Sequence, residues 1–221
     1  MKFSYNWLKK YIDIKLSPEK LAELLTLYSF ESGVFKKAGG DAILDVDILP
    51  NRAHDSLSHY GLAKEIALLT KKSLKKLSAE GGLASDGKNS KIKSSSFISV
   101  NVADETLCLR YMAKVLLDIK LGPSPRWLQD ELIKFNIKSH NNIVDILNYI
   151  MLETGQPMHA FDYDKLNGEK IIVRRAKKGE KINTLDGGKY DLNENILVIA
   201  DAKKPVAIAG IKGGLETGVS E

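Results

Sequence analysis

Residues 71–96 constrain the fold most, because they interrupt the apolar patterning of the chain. They contain seven lysines, two acidic residues, and glycine and serine runs. Such a composition offers little apolar surface to bury and is typical of a linker. We therefore predict an N-terminal module at 1–75, a Lys/Ser/Gly-rich linker at 76–96 and a larger domain at 97–221. A specific contact of these lysines with phosphate is the alternative.

The same segment accounts for the net charge of the chain. The formal charge is +5, from 33 basic and 28 acidic residues. Residues 71–96 contribute 7 − 2 = +5, which leaves 26 basic and 26 acidic residues elsewhere. Overall basicity therefore does not indicate a positive face on a folded domain, and it does not establish nucleic-acid binding.

Several classes of protein are disfavoured by composition. No apolar run approaches the roughly 20 residues that span a bilayer, so we expect a cytoplasmic protein without a membrane partner. Cys108 is the only cysteine, which excludes an internal disulfide. The four histidines, at 54, 59, 140 and 159, lack a metal-ligand spacing, and we predict no metal site.

Helix-start and alternation signals predict an α+β fold. Ser4 and Ser17-Pro18 are typical of helix starts, and Leu44, Val46 and Ile48 alternate with aspartates as in a strand. Further helices are predicted from Ser58, Ser124-Pro125 and Asn142. Short strands are predicted near 97–102, 110–118, 171–175, 181–185, 196–200 and 205–209. The expected architecture is a small helix/strand module followed by a larger mixed-sheet domain with packed helices.

The most informative stretch for chemistry is Gly155-Gln156-Pro157-Met158-His159-Ala160-Phe161-Asp162. It follows a predicted helix, and loops on rigid scaffolds often carry functional residues. An unperturbed histidine titrates near neutrality, so His159 could orient a water molecule or accept a hydrogen bond. A histidine whose ring nitrogens are satisfied by backbone groups is the alternative.

Two other stretches allow a functional and a structural interpretation. Residues 207–214 run from small strand residues into glycines, which would let a ligand approach the backbone, or would simply form a turn. Residues 50–55, Pro-Asn-Arg-Ala-His-Asp, could contact phosphate or could cap a strand-to-helix turn.

Taken together, these stretches resemble the β subunit of bacterial-type phenylalanyl-tRNA synthetase in collinear order. The resemblance is carried by these stretches: Met1–Ser4 with Trp7-Leu8, Ile48–Arg52, Gly61–Ala67, Arg110-Tyr111, Gly122–Leu128, Asn141–Asp145 with Asn148-Tyr149, Gly155–Asp162, Val198–Asp201 and Pro205–Gly210. It implies an α2β2 enzyme that attaches phenylalanine to tRNA(Phe). In such an enzyme ATP and Mg²⁺ bind to the α subunit, and no cofactor is expected on this chain.

The resemblance also implies an editing-type domain that hydrolyses mischarged Tyr-tRNA(Phe). By match to the family motif, His159 is the editing histidine and Arg110 lies at the rim of its pocket. Asn148 lies in a helix beside the pocket, whose wall is formed by Ala209, Gly210 and Gly213.

Three departures from the family pattern affect these expectations. Residues 34–43 are too short for the usual OB-type insertion, so we expect only weak tRNA binding. Leu147 replaces a threonine, and the domain is incomplete at its C-terminus, where a pocket glutamate is expected. We therefore expect impaired editing. The alternatives are an architectural module without hydrolytic activity and a free-standing aminoacyl-tRNA editing hydrolase.

Overall fold

The computed structural model describes residues 1–38, 40–77 and 93–219, so most of the predicted linker lies outside the described residues. The described residues form two compact units. The first unit draws on Met1–Ala84 and Gly122–Met158, and the second on Ser85–Leu121 and His159–Glu221. These units do not follow the sequential boundaries that we predicted, because residues 122–158 group with the N-terminal part of the chain.

The first unit contains an antiparallel sheet in the order β1-β3-β2. Its strands are β1 (Lys2–Ser4), β2 (Ser32–Ala38) and β3 (Asp41–Val46). The central strand pairs Phe3 with Leu44 on one side and Val34 with Leu44 on the other. Leu44 and Val46 are fully buried, as the alternation predicted, whereas Ile48 lies beyond the end of the strand.

Helices pack on this sheet around one apolar core. They are α1 (Tyr5–Tyr11), α2 (Pro18–Tyr28), α3 (Ala53–Ser56), α4 (His59–Thr70), α5 (Arg126–Ile133) and α6 (Asn142–Thr154). Leu128 and Leu132 of α5 and Leu152 of α6 belong to the same buried cluster as Trp7. The two helices that we expected beside the larger sheet therefore pack in the first unit, because their apolar faces complete this core.

The second unit contains a mixed five-stranded sheet, in the order β10-β9-β8-β5-β4, and a separate hairpin of β6 and β7. The strands are β4 (Ser99–Val102), β5 (Lys170–Arg175), β6 (Lys181–Asn183), β7 (Lys189–Asp191), β8 (Leu197–Ala200), β9 (Pro205–Ile208) and β10 (Lys212–Gly213). Strands β4 and β5 are parallel, and the remaining pairs are antiparallel. The α+β class is therefore confirmed.

The strand predicted at 110–118 was wrong. Tyr111, Ala113 and Val115 do pack partly against the core of the second unit, which explains the apolar alternation. A strand also needs a backbone partner, and the segment has none among the described residues. Its backbone instead bonds to side chains, as where Val115 N–H donates to Ser94 Oγ at 3.1 Å.

The described helices are too short or too polar to cross a bilayer. Within the same described residues, histidine, cysteine and carboxylate side chains form no group of three that could hold a metal ion.

Candidate functional site

The segment that leads to His159 begins where helix α6 ends. Gly155 closes the helix with a left-handed φ of 79°, a conformation that glycine adopts without steric cost. After His159, the backbone is tied to the end of the second unit. Asp162 N–H donates to Thr217 O at 3.0 Å, and Phe161 forms a bridge with Gly218. The histidine is therefore carried on a loop whose far end is anchored.

The imidazole of His159 lies directly against the backbone of Gly213. A Cβ atom on residue 213 would lie 2.2 Å from His159 Cε1 and 2.6 Å from Nε2. Real Cβ atoms do not approach so closely, so the ring occupies space that only glycine leaves open. Gly213 belongs to β10, which pairs it with Ala207 of β9, and the sheet thus fixes the surface that the ring contacts.

Phe161 also contacts the histidine. Its ring lies edge-on to the imidazole, with centroids 4.6 Å apart and an interplanar angle of 73°. Aromatic pairs prefer this arrangement, which restricts rotation of the imidazole. Phe161 was not among the predicted site residues, although its position two residues after His159 in the same motif could have indicated it.

The surroundings of His159 favour its neutral form. Loss of solvation by burial lowers the pKa of His159 below its ordinary value of 6.5. The residue as a whole nevertheless remains exposed to solvent. A neutral imidazole that water can reach is able to accept a proton at physiological pH.

Ala209 and Gly210 form the turn between β9 and β10. Ala209 N–H donates to Leu197 O at 3.0 Å, and Ala209 packs partly against the core of the second unit. Gly210 is exposed and has a φ of 71°, which explains glycine at this position. The structure thus places His159, Ala209, Gly210 and Gly213 in one unit, with direct contact recorded between His159 and Gly213.

The other predicted site residues are not brought to His159 by the described contacts. Arg110 is exposed in the irregular segment after β4, where its carbonyl accepts from Cys108 Sγ at 3.5 Å. Leu147 and Asn148 are half-buried on α6 and belong to the first unit. Their roles therefore rest on the sequence resemblance.

Residues 50–55 form a turn in which the charged side chain of Arg52 is paired within the protein. The Arg52 guanidinium pairs with Asp55 at 2.8 Å and with Glu65 at 2.9 Å. It also lies 5.1 Å from the centroid of the Phe30 ring. Because these partners occupy the cation, the structure favours a turn over a phosphate contact.

Known proteins similar to this chain share its candidate site region. A family model described as the B3/4 domain matches residues 107–221, which include His159 and Gly213. A phenylalanine–tRNA ligase β subunit from Carboxydothermus hydrogenoformans is 49% identical over 181 residues, covering 82% of this chain and 22% of that protein. A phenylalanine–tRNA ligase β subunit from Rhodopirellula baltica is 38% identical over 224 residues, covering 100% of this chain and 31% of that protein.

The chain therefore spans between 22% and 31% of the length of these two relatives. Among solved structures, an N-terminal fragment of the phenylalanyl-tRNA synthetase β subunit from Pyrococcus horikoshii is similar. It has a TM-score of 0.47 and 19% identity, and the match covers 100% of this chain and 64% of the fragment.

Proposed function

The chain belongs to the B3/4-domain family and is homologous to phenylalanine–tRNA ligase β subunits, and from this we propose that it serves as a portion of such a subunit. In this role it supports Phe-tRNA synthesis and carries the domain that hydrolyses mischarged Tyr-tRNA(Phe). One observation carries the hydrolytic part of the proposal. The imidazole of His159 lies directly against Gly213, and the residue is exposed to solvent.

A hydrolytic site answers a physical problem in selecting phenylalanine. Tyrosine exceeds phenylalanine by one hydroxyl, and an apolar pocket rejects an added hydroxyl only about a hundredfold. A second site that destroys the wrong product restores accuracy. The substrate of this site is the ester between the tyrosine carboxyl group and a ribose hydroxyl of the tRNA.

His159 would act on the water molecule that attacks this ester. Its neutral imidazole, favoured by the lowered pKa, orients the water and accepts its proton as the oxygen bonds to the carbonyl carbon. The bond to the ribose oxygen then breaks, and the imidazolium returns the proton to that oxygen. Free tyrosine and uncharged tRNA are released, and Phe161 and Gly213 keep the ring in position throughout.

The partners follow from the same family membership. We propose an α subunit that performs the ATP- and Mg²⁺-dependent aminoacylation, and tRNA(Phe) as the shared substrate. The α2β2 assembly is a proposal for the whole enzyme. The homology extends across the first unit as well as the B3/4 region, which favours a synthetase portion over a free-standing editing hydrolase.

Deacylation of Tyr-tRNA(Phe) by this chain tests the proposal. We expect slow release of tyrosine that His159→Ala abolishes, because the imidazole is the proposed proton acceptor. His54→Ala is a matched control, since His54 is exposed and lies in the first unit. Release that is unaffected by His159→Ala would exclude His159 as the editing residue, and an absence of release would support an architectural module.

The impairment that we expect at Leu147 has its own test. Leucine lacks the hydroxyl that threonine offers for hydrogen bonding. We propose that Leu147→Thr accelerates deacylation, measured with this chain and with the complete β subunit assembled with α. If the unmodified enzyme already clears Tyr-tRNA rapidly and Leu147→Thr adds nothing, the impairment hypothesis is wrong.

A further inference from the structure

An open groove of about 580 Å³ lies between helix α2 and strand β2 in the first unit. Strand β2 is at the edge of its sheet and pairs with β3 on one side only, within the described part of the chain. Helix α2 contributes Glu19, Glu23 and Leu27 to the groove, and β2 contributes Gly33 and Val34. Extended peptides bind at such an edge by adding a strand to the sheet.

The backbone directions in β2 show which polar groups face the groove. Glu31 O accepts from Asp47 N–H at 2.9 Å, so residue 31 points toward the β3 side. Ser32 points the other way, because its N–H donates to Thr26 Oγ1 at 2.9 Å and its carbonyl accepts from the same hydroxyl at 3.2 Å. Successive residues of a strand alternate between its two edges, so the N–H and C=O of Val34 also face outward.

Val34 is the position at which this edge is open. Before it, the Thr26 hydroxyl satisfies Ser32, and after it the register with β3 shifts between Val34 and Lys36. Such features protect a sheet edge from unwanted pairing. The outward N–H and C=O of Val34 form no hydrogen bond with any residue that the structure describes. There is also room beside them, because a Cβ at Gly33 would have no neighbour within 4 Å.

The helix wall of the groove favours a basic partner. Glu19 and Glu23 are exposed and four residues apart on α2, and like charges at this spacing destabilise a helix. A cationic side chain against these carboxylates relieves that repulsion. Leu27, one turn further along α2, is 74% exposed, so this end of the groove is apolar. The wall therefore suits basic side chains at one end and an apolar side chain at the other.

The spacing along the helix matches that of a strand. Residues four apart on a helix are separated by about 6 Å along its axis, and alternate residues of a strand by about 6.6–6.8 Å. Strand β2 runs back along α2, because Ser32 bonds to Thr26 in the last turn of the helix. A peptide antiparallel to β2, which is the commoner pairing, therefore meets Glu19, Glu23 and Leu27 in that order.

We propose that this groove binds an extended segment of a partner protein with the pattern basic-x-basic-x-apolar. The segment pairs with the backbone of Val34, its basic side chains lie against Glu19 and Glu23, and its apolar side chain lies against Leu27. This docking site belongs to the first unit and does not depend on the activity proposed at His159.

Fluorescence anisotropy of a labelled peptide with the 221-residue chain tests the proposal. The probe is Thr-Lys-Thr-Lys-Thr-Leu-Thr with a C-terminal amide, and we expect it to bind saturably, one peptide to each chain. Replacing both of its lysines by glutamate should weaken binding about tenfold, because the charges then repel. Glu23→Gln should weaken binding about threefold to fivefold. Glu194→Gln, which changes the charge equally at an exposed position of the second unit, should leave it unchanged.

N-methylated peptides separate strand pairing from charge. Val34 packs partly against the core that the helices cover, so the peptide residue opposite it also directs its side chain to the helix side. In this register that residue is one of the lysines. Methylating the backbone nitrogens of both lysines keeps every charge but removes the N–H that donates to Val34 O, and should weaken binding about tenfold. Methylating the two threonine nitrogens that flank the second lysine should weaken it less, because those N–H groups face away from β2.

Four results would overturn the inference. They are an absence of binding up to millimolar concentration, equal binding of the unmodified peptide and the lysine-methylated peptide, equal weakening by Glu23→Gln and Glu194→Gln, and a dimer of the chain in sedimentation equilibrium that excludes the peptide. The second would show that charge alone holds the peptide, and the third would place it elsewhere. The fourth would show that a second copy of this chain occupies the edge. Circular dichroism should show an unchanged fold in Glu23→Gln, because Glu23 is exposed.

Discussion

At the scale of single residues, the candidate site depends on the lack of a side chain at residue 213. Gly213 has no Cβ, and the His159 ring fills the space that a Cβ would take. We predict that Gly213→Ala displaces the ring and lowers His159-dependent deacylation by about tenfold to a hundredfold. Folding should be preserved, because Gly213 has no left-handed φ and the displaced ring is exposed.

Initial rates of Tyr-tRNA(Phe) deacylation, with circular dichroism as a check on folding, measure this effect. Gly122→Ala is the matched control, because a Cβ at residue 122 would have no neighbour within 4 Å. Equal rates for the Gly213 variant and the unmodified chain would mean that the contact with His159 does not position the ring.

His59 is a histidine of the opposite kind, fully buried in the first unit. Its Nε2 accepts from Ser4 N–H at 3.0 Å, and its Nδ1 lies 2.9 Å from Leu152 O. The ring also stacks on Trp7, with centroids 4.1 Å apart. In the neutral imidazole that carries its proton on Nδ1, both ring nitrogens form hydrogen bonds. A second proton would have to sit on Nε2, where it would point at the Ser4 N–H donor.

We therefore predict that stability falls as the pH is lowered from about 6.5 to about 4. Burial lowers the pKa of His59 to about 4. As the pH drops, His59 is therefore protonated in the unfolded chain before it is protonated in the folded protein. The contribution is complete above the ordinary pKa of 6.5 and is lost as the pH approaches the folded value. Its full size is roughly 3 kcal/mol.

Urea unfolding at several pH values measures this loss, and His59→Phe supplies the comparison. The variant should be less stable at pH 7, because Ser4 N–H and Leu152 O lose their partner, but its stability should depend less on pH in this window. An equally steep dependence in His59→Phe would assign the acid sensitivity to other groups.

At the same scale, the structure brings into contact two residues that residue type and motif suggested, His159 and Gly213, while their roles stay predictions. The proximity of Leu147 or Arg110 to His159 cannot be read from residue type, because it depends on how distant parts of the chain fold.

At the scale of elements, local signals predicted the helices well. The Ser17 side chain accepts from Lys20 N–H, and Asn141 accepts from Ile143 and Val144 N–H, as capping residues do. Strands were less predictable, since pairing depends on distant residues. Val100 of β4 is 38% exposed despite the apolar alternation around it, because β4 lies at the edge of its sheet.

The connection between α5 and α6 depends on one buried carboxylate. Asp145 is fully buried and accepts hydrogen bonds from Ser124 Oγ at 2.5 Å, Ser139 Oγ at 2.5 Å and His140 N–H at 2.9 Å. Ser124, which we expected to help start α5, thus donates its hydroxyl to a residue in the first turn of α6 instead. The carboxylate fixes the chain before both helices.

We predict that Asp145→Ala lowers the free energy of unfolding by roughly 3 kcal/mol, because three donors lose a charged acceptor. Chemical denaturation measures the change. Asp130→Ala is the control, since the Arg126–Asp130 pair is exposed and should contribute less than about 1 kcal/mol. Similar losses in the free energy of unfolding for both variants would show that the buried hydrogen bonds of Asp145 contribute no more stability than an exposed ion pair.

At the scale of the whole molecule, the grouping of the chain could not be read from its order. Residues 122–158 follow the predicted linker in sequence, yet Leu128, Leu132 and Leu152 complete a core with Trp7 and Leu62. Periodicity shows that a helix has an apolar face, but it does not show which distant face will cover it. The linker at 76–96 itself stays a prediction.

The distribution of charge across the chain bears on the proposed binding of tRNA. Outside residues 71–96, basic and acidic residues balance at 26 each. Many of the folded cations are also paired, as are Arg52 with Glu65 and Arg174 with Glu180. The lysines at 71, 72, 75 and 76 are exposed in the described part of the segment and are the natural contacts for phosphate.

We therefore predict that this chain binds tRNA weakly and that binding is lost at moderate salt. Each phosphate contact releases counterions, so a few lysine contacts produce a steep fall in affinity between about 50 and 200 mM salt. Replacing Lys71, Lys72, Lys75 and Lys76 by glutamine should flatten this dependence, as measured by filter binding across a salt series.

The control replaces four exposed lysines of the second unit, Lys170, Lys177, Lys178 and Lys189, and changes the net charge equally. If both sets flatten the dependence alike, net charge alone drives binding. If affinity persists at high salt in both, a folded RNA-binding surface exists that the charge distribution does not reveal.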